Sequence, residues 1–367
     1  MISSEQFSSI DVAGKMNEWY LAIQDYDLPR AHQLKAAVDE QLAHMEQNQN
    51  VLLYYSLLEF RMQLNEEKPL NHEKMEAALN EIENGDSELT GMLDYYFWLF
   101  KGMYELKQQQ FTAALASYRK AEERVERLGD MIEAAHCYYH LAEVYFSLNY
   151  SLISIRYSRK ALAIFANNPD YYHYRFLSKS LIGSNFLKTE HLQEAQHVYE
   201  EAYRIAEAFH NQYLIAIARF NCGLIAMKDG QYDQAYKWFA ESVAIFREKQ
   251  SHHLPKALCS CLEVRVLQNR KKEAAQIYQD VQRISKQWEN EEYLAKSTII
   301  YELLPDRRDA ANFRKAFRKL ISLHLDTWIE EYALAVARAL VENEHYQEAV
   351  YYFEQNQQAA KNRLHES

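Results

Sequence analysis

Apolar side chains recur along this chain at steps of three and four, the spacing of a helix that buries one face, and a longer period is superimposed on that pattern. A small residue returns at Gly102, Ala142, Gly183 and Gly223, at steps of 40, 41 and 40. Twelve positions after each comes Ala114, Ser154, Ala195 or Ala235, and four further on Tyr118, Ser158, Tyr199 or Phe239. This is the grammar of a two-helix repeat of the tetratricopeptide kind. The first small residue lets helix A approach its neighbour, the second lets helix B cross closely, and the aromatic fills the groove between them. Phe111–Ala121 (FTAALASYRKA), His191–Ala202 (HLQEAQHVYEEA) and Gln231–Phe239 (QYDQAYKWF) carry the helix B pattern. A step near 40 instead of the minimal repeat of about 34 predicts longer helices.

A weaker fifth unit holds Leu262, Ala274 and Tyr278, and a last one holds Ala337, Tyr346, Ala349 and Phe353. The 75 residues between Ala274 and Ala349 leave room for one degenerate repeat around Ala316 and Leu320. The expectation is an all-α chain ending in a tetratricopeptide superhelix of six or seven helix pairs, spanning 73–367. Upstream of Met75 the repeat grammar is absent. Three amphipathic segments, Val12–Gln24, Pro29–Met45 and Asn50–Asn65, predict a three-helix bundle over 1–66, with Pro29 placed to start the second helix. Glu66–His72 (EEKPLNH) is polar with one proline and reads as a linker, assigned to 67–72.

Composition sharpens this picture mainly by exclusion. Only 8 glycines and 5 prolines occur in 367 residues, which favours helices over hairpins. Neither GxGxxG nor GxxxxGK[ST] is present, so the phosphate-cradling loops of nucleotide enzymes are not indicated. Glu5, Asp11, Lys15 and Glu18 interrupt the first 25 residues, unlike a secretion signal, and the densest apolar run, Leu93–Phe100, is far shorter than the roughly 20 residues of a membrane span. A cytoplasmic protein that does not contact membrane is expected. Cys137, Cys222, Cys259 and Cys261 form neither a disulfide framework nor a CxxC pair and read as reduced thiols. The net charge is −11, and residues 1–70 carry 11 acidic against 5 basic side chains. That balance opposes direct nucleic-acid binding and suits a basic protein partner.

Candidate chemistry is sparse. His136 and His140 (HCYYH) share a helix face but have no glutamate between them and no third ligand, so helix packing explains them better than a metal, and no metal site is expected. His252 and His253 fall at a helix start before Pro255. No serine or cysteine has a visible base. Most of the 28 tyrosines are expected in the core, with some lining a concave groove.

Asn17–Tyr20 (NEWY), Met45–Arg61 (MEQNQNVLLYYSLLEFR), Leu89–Tyr95 (LTGMLDY) and Phe100–Tyr104 (FKGMY) resemble the Rap family of Bacillus-type bacteria, and the resemblance covers essentially the whole chain. It implies a bundle that engages a response regulator or another DNA-binding transcription regulator, and a repeat domain that binds a short imported Phr-type signalling pentapeptide. Peptide binding compacts such proteins and releases or disables the partner. Two outputs exist in the family, dephosphorylation of a phospho-aspartate and plain sequestration, the latter including conjugation or mobile-element control. Oligomeric state is not legible, and a homo-oligomer is compatible with the sequence.

By the same resemblance, the phosphatase glutamine falls on Gln49, where a side-chain amide can orient water for attack on an acyl phosphate. No cofactor is implied, and any metal would belong to the partner regulator. Partner contacts map to Leu52, Phe60, Met92, Asp130 and Glu133, and peptide contacts to Asn221, Asn185, Tyr157, Lys188, Lys256 and Glu302. An asparagine amide carries both donor and acceptor, so it can hold an extended peptide backbone without reading its side chains. Two departures stand out. Gln47 and Asn50 replace acidic residues that often flank the glutamine, and Lys188 stands where many relatives carry aspartate.

Overall fold

The computed structural model describes residues 7–25, 27–65, 72–84 and 89–365. Among them, eighteen α-helices follow one another, and apart from an isolated bridge between Phe7 and Met45 there is no strand. None of the helices is long and apolar enough to cross a membrane. The chain forms two compact units, Met1–Tyr174 and Arg175–Ser367.

Unit 1 opens with α1 (Ser9–Gln24), α2 (Leu28–Leu42) and α3 (Gln49–Asn65), the three expected bundle helices. Each begins with a short polar side chain that accepts from the first-turn backbone: Ser8 from Asp11 N, Asp27 from Arg30 N, and Asn48 from Asn50 N and Val51 N. Trp19, Leu57 and Leu58 are fully buried between them. The expected linker lies outside the described residues except for His72, which begins α4 (His72–Asn84); α4 packs on α3. α3 also packs on α5 (Gly91–Lys107), where the Lys107 ammonium donates to the Leu64 carbonyl at 2.9 Å and so caps the end of α3. α6 (Phe111–Leu128), α7 (Met131–Ser147), α8 (Ser151–Phe165) and the start of α9 (Tyr172–Lys188) complete the unit.

Unit 2 continues with α10 (Leu192–Ala208), α11 (Gln212–Lys228), α12 (Tyr232–Glu248), α13 (Leu254–Leu267), α14 (Lys271–Gln287), α15 (Glu291–Glu302), α16 (Ala310–Ser322), α17 (Asp326–Glu342) and α18 (Tyr346–His365). From α5 onward the helices form seven pairs, at the upper end of the expected six or seven. In unit 2, α13 packs on α15 and α15 on α17, whereas the even-numbered helices pack chiefly on their sequence neighbours, α16 and α18 also meeting through Phe313, Phe317 and Tyr352. The odd helices therefore line the inner side of this unit.

The repeat grammar is a packing rule. A Cβ placed on Gly102, Gly183 or Gly223 would come within 2.7, 2.6 and 2.5 Å of the rings of Tyr118, Tyr199 and Phe239 respectively. Each glycine is thus the seat of the aromatic sixteen residues later. In the last pair this register shifts. Phe353 is 40% exposed, and its neighbour Tyr352 is buried against Phe313 and Phe317. The expected groove filler is one residue off, since Tyr352 and not Phe353 meets the α16 rings.

The scarcity of glycine does not prevent tight turns. Among the described residues, nine that are not glycine, including Gln109, Asn149, Glu190 and Asn269, take positive φ just after a helix end. At Gln109 the following amide of Gln110 reaches back to the Glu105 carbonyl at 2.9 Å, closing the helix in the manner a glycine would. Each such residue sacrifices on the order of 1 kcal/mol to left-handed strain, which the packing of the pairs outweighs.

In α9, His173 is buried, and burial pushes its imidazolium down to about 4. The unfolded chain takes up this proton near 6.5 and the folded chain only near 4, so its stability contribution is complete above about pH 6.5 and is lost as pH falls toward 4. Over that window the loss is about 3 kcal/mol. Denaturant titrations at pH 7.5 and 4.5 are expected to show a smaller acid loss for His173→Phe than for the native chain; equal losses would exclude this histidine as the cause. Glu263 and Glu292, whose carboxyls burial holds above their ordinary range, act in the opposite sense and cancel in the comparison.

Candidate functional site

The first candidate site is built on the start of α3. Asn48 Oδ1 accepts from the backbone N–H of Asn50 at 3.1 Å and of Val51 at 3.3 Å, and its carbonyl accepts from Leu52 N at 3.1 Å. Gln49 is therefore the first residue of a capped helix, exposed, with a fixed backbone and a free side chain. Gln47 and Asn50 beside it are also exposed, and Leu52, one turn on, is 40% exposed. Met92 is half-buried in the first turn of α5. Asp130 is exposed and caps α7, accepting from Ile132 N and Glu133 N at 3.0 Å each.

Two of the expected partner contacts are placed elsewhere. Phe60 is 2% exposed, its ring edge-on to Tyr104 at 6.0 Å, so it is core of the α3–α5 packing. Glu133 is 7% exposed and is consumed internally: its Oε2 accepts from Tyr20 of α1 at 3.2 Å and lies 3.1 Å from the Tyr95 hydroxyl, and Oε1 lies 3.4 Å from that of Tyr96. Neither can meet an approaching protein in this arrangement, and both become supports of the surface. The adjacent His136 is buried as well, in a 3.0 Å hydrogen bond with Gln24 of α1 and against the rings of Phe165, Tyr171 and Tyr174. His140 bonds Glu143 at 2.7 Å and stacks on Tyr118. Among the described residues, no three His, Cys, Asp or Glu side chains are grouped to hold a metal ion.

The second candidate site lies in unit 2. Asn185 is fully buried on α9 and its amide donates to the Leu181 carbonyl at 2.8 Å. Asn221 of α11 is 8% exposed, and its amide makes no hydrogen bond with any described residue, so its donor and acceptor are available. The two asparagines are 36 residues apart, not the 40 of the repeat, so they sit one helical turn out of register on their respective helices. Lys188, the last residue of α9, is exposed. The Lys256 ammonium lies 5.0 Å from the ring of Phe220, the residue before Asn221.

Two expected peptide contacts are engaged within the protein. Tyr157 belongs to unit 1, where its buried hydroxyl donates to Glu122 at 3.1 Å, its ring stacks on Tyr145 and the Arg119 guanidinium bonds its oxygen. Glu302 is 2% exposed and holds the α15–α16 loop together, accepting from Arg307 Nη2 at 2.7 Å, Asn312 Nδ2 at 3.2 Å and Asp309 N at 3.3 Å. A carboxylate with this many donors is a loop staple and not an open ligand contact.

Sequence reasoning missed a cluster beside Lys256. Lys296 of α15 is 6% exposed, with its ammonium 3.4 Å from the Trp328 ring and 5.5 Å from that of Tyr332. Lys256 is exposed, and the partial desolvation by its neighbours, followed by the charge of Lys296, lowers its ammonium below the usual lysine range. The signal was present: Lys296 follows Lys256 by 40 residues, one repeat step. A separate cavity of about 330 Å³ between α10, α11 and α12 is lined by Tyr199, Glu200, Tyr203, Cys222 and Trp238. Burial there, reinforced by Glu200, pushes the Cys222 thiol up to about 11, so it is not a nucleophile.

Comparison with known proteins places these sites in a family context. Residues 6–65 match the model of the N-terminal region of response regulator aspartate phosphatase H. The chain is 30% identical to response regulator aspartate phosphatase A of Bacillus subtilis (strain 168), over 95% of this chain and 93% of that one. It is 31% identical to response regulator aspartate phosphatase J of the same organism, with 94% of each chain covered. Regulatory protein RapF, also from that organism, is 30% identical over 94% of this chain and 93% of its own. Among solved structures, a Rap protein complexed with competence and sporulation factor matches with a TM-score of 0.85 at 31% identity, covering 97% of this chain and 99% of that one. The apo form of RapI matches with a TM-score of 0.67 at 27% identity, over 95% and 97% of the two chains.

Proposed function

This chain belongs to the Rap family of response regulator aspartate phosphatases and related regulatory proteins, and we propose that it is a cytoplasmic peptide-controlled regulator that dephosphorylates a response regulator when peptide-free. The observation that carries the phosphatase reading is the placement of Gln49: exposed, at the first turn of α3, on a backbone pinned by the Asn48 cap, with an apolar contact at Leu52 beside it. The amide oxygen would accept from a water and aim it in line with the acyl phosphate of the docked regulator, while the metal that neutralises the phosphate belongs to that regulator. In unit 2, Asn221 would hold the backbone of an extended peptide with its unengaged amide.

A second reading, sequestration of a DNA-binding regulator without chemistry, is favoured by one feature. Gln47 and Asn50, exposed on either side of Gln49 and its cap, are neutral, so the positions immediately flanking Gln49 add no charge to steer a basic partner. One experiment separates the two. Full-length protein is mixed with a panel of phosphorylated response regulators and phosphate loss is followed. The native chain is expected to accelerate loss from one of them, and Gln49→Ala to be slower on the order of 10²-fold with regulator binding intact, as when the positioning of a reacting group is removed. No acceleration by the native chain, with a regulator still retained on it, would leave sequestration standing.

A further inference from the structure

The inner side of unit 2 holds two ammonium groups with no protein acceptor among the described residues, Lys256 exposed and Lys296 largely covered. Lys256 on α13 and Lys296 on α15 lie 40 residues apart on helices that pack side by side. Lys296 is 6% exposed and rests on Trp328, Tyr332 and Tyr293, at 3.4, 5.5 and 5.9 Å from their ring centres. Ring faces stabilise its charge but accept none of its N–H bonds conventionally. Among the described residues, neither lysine has a hydrogen-bond acceptor or a carboxylate at ion-pair distance. The Lys296 side chain is almost wholly covered with only ring faces around its ammonium, which leaves room for an incoming acceptor, and Lys256 faces solvent beside it.

The carboxylates nearby do not fill that place. Glu292 accepts from Trp328 Nε1 at 2.8 Å, and Glu263 accepts from the Tyr332 hydroxyl at 3.4 Å. Both are committed to neutral donors that brace the aromatic wall, and with exposed Glu331 they temper the field of the lysines without bonding them. Lys256 also stands in the first turn of α13, where the helix end adds positive potential. Phe220 bridges this spot to Asn221, since its ring lies 5.0 Å from the Lys256 ammonium.

We propose that Lys256 and Lys296 form a carboxylate seat that anchors one acidic group of the bound peptide, either its free C-terminus or an aspartate or glutamate side chain, while Asn221 holds the backbone alongside. This rests on the peptide-receptor reading and specifies it: a ligand with neither a free terminus nor an acidic side chain binds poorly. The seat selects charge, and the asparagine amide is indifferent to sequence.

The test uses the full-length chain and a randomised pentapeptide library made twice, with a free C-terminus and with a C-terminal amide. Captured peptides are identified by mass spectrometry, and the best is titrated against the native chain, Lys256→Gln and Lys296→Gln, after thermal melts establish that each variant is folded. Expected are captured peptides bearing a carboxylate, an affinity loss of tenfold or more when it is amidated, a similar loss for either lysine variant, and little further loss on combining them. If the free-acid form loses its advantage only on terminal amidation, the terminus is the anchor; if only on Asp→Asn or Glu→Gln in the peptide, the side chain is. Tight binding that changes less than twofold with both the amide and Lys256→Gln overturns the seat and leaves the peptide-receptor reading intact. Failure of the native chain to capture any pentapeptide overturns that reading and the seat with it. Lys256→Gln carries the test should the buried Lys296 prove indispensable for folding.

Discussion

Gly223→Ala is expected to destabilise unit 2 by about 2 kcal/mol despite the better helix propensity of alanine. An added Cβ would lie 2.5, 2.6 and 3.0 Å from three carbons of the Phe239 ring, which is itself fully buried and packed at a tilt against Phe220, ring centres 5.2 Å apart. Ordinary contact needs about an ångström more than the closest of these distances, so ring or helix must move. Overpacking of that kind costs roughly 1–3 kcal/mol, and a contact this close belongs at the upper end. Alanine returns about 1 kcal/mol of propensity, which the clash outweighs. In thermal unfolding the difference corresponds to a fall of roughly 4–8 °C for a unit of this size. The chain carries its own control. At the equivalent position Ala142 is tolerated, because the residue sixteen later is Ser158 and no ring is seated there. Shrinking the ring with Phe239→Leu in the Gly223→Ala background is accordingly expected to cost less than the sum of the two single changes. A melting temperature for Gly223→Ala within a degree of native, or strict additivity, would refute the seat-and-ring account.

That account also explains how much of the architecture was legible. A packing rule repeated four times at a near-constant step leaves a signature in sequence, and Gly102, Ala142, Gly183 and Gly223 display it without knowledge of the structure. The same rule failed at the end of the chain, where Tyr352 takes the buried slot expected for Phe353 and packs on Phe313 and Phe317 of α16. The candidate sites were less legible. Gln49 and Leu52 stand exposed where a partner could meet them, but Phe60, Glu133, Tyr157 and Glu302 are interior. A carboxylate in a sequence signals the surface by default. Whether it is instead buried depends on donors brought from far along the chain, as Tyr20 is brought to Glu133 across 113 residues. Lys296 was overlooked for the converse reason, since its importance lies in what it lacks, an acceptor, and that is a tertiary property.

Glu133 gives the sharpest test of the difference between a contact and a support. Its carboxylate takes hydrogen bonds from the hydroxyls of Tyr20 and Tyr96, and the Tyr95 hydroxyl is divided between Oε2 and the Glu133 carbonyl at 2.8 Å. Glu133→Ala would leave Tyr95 its carbonyl partner but strand Tyr20 and Tyr96, both nearly inaccessible to water. Each buried hydroxyl deprived of its partner costs about 1–3 kcal/mol, and the vacated volume adds to it, so a loss of roughly 3–5 kcal/mol is expected. Glu133→Gln preserves one acceptor oxygen and a similar volume and is expected to recover most of this. Because Tyr20 belongs to α1 and Glu133 to α7, the damage has an address. Amide hydrogen exchange should accelerate in α1 and at the start of α7, while α11–α14 keep their native protection. If Glu133 were instead a surface contact for the regulator, Glu133→Ala would leave stability and exchange unchanged and weaken only regulator binding. The buried network predicts the reverse order: α1 loosens first, and any loss of regulator binding follows from a bundle no longer held against α7.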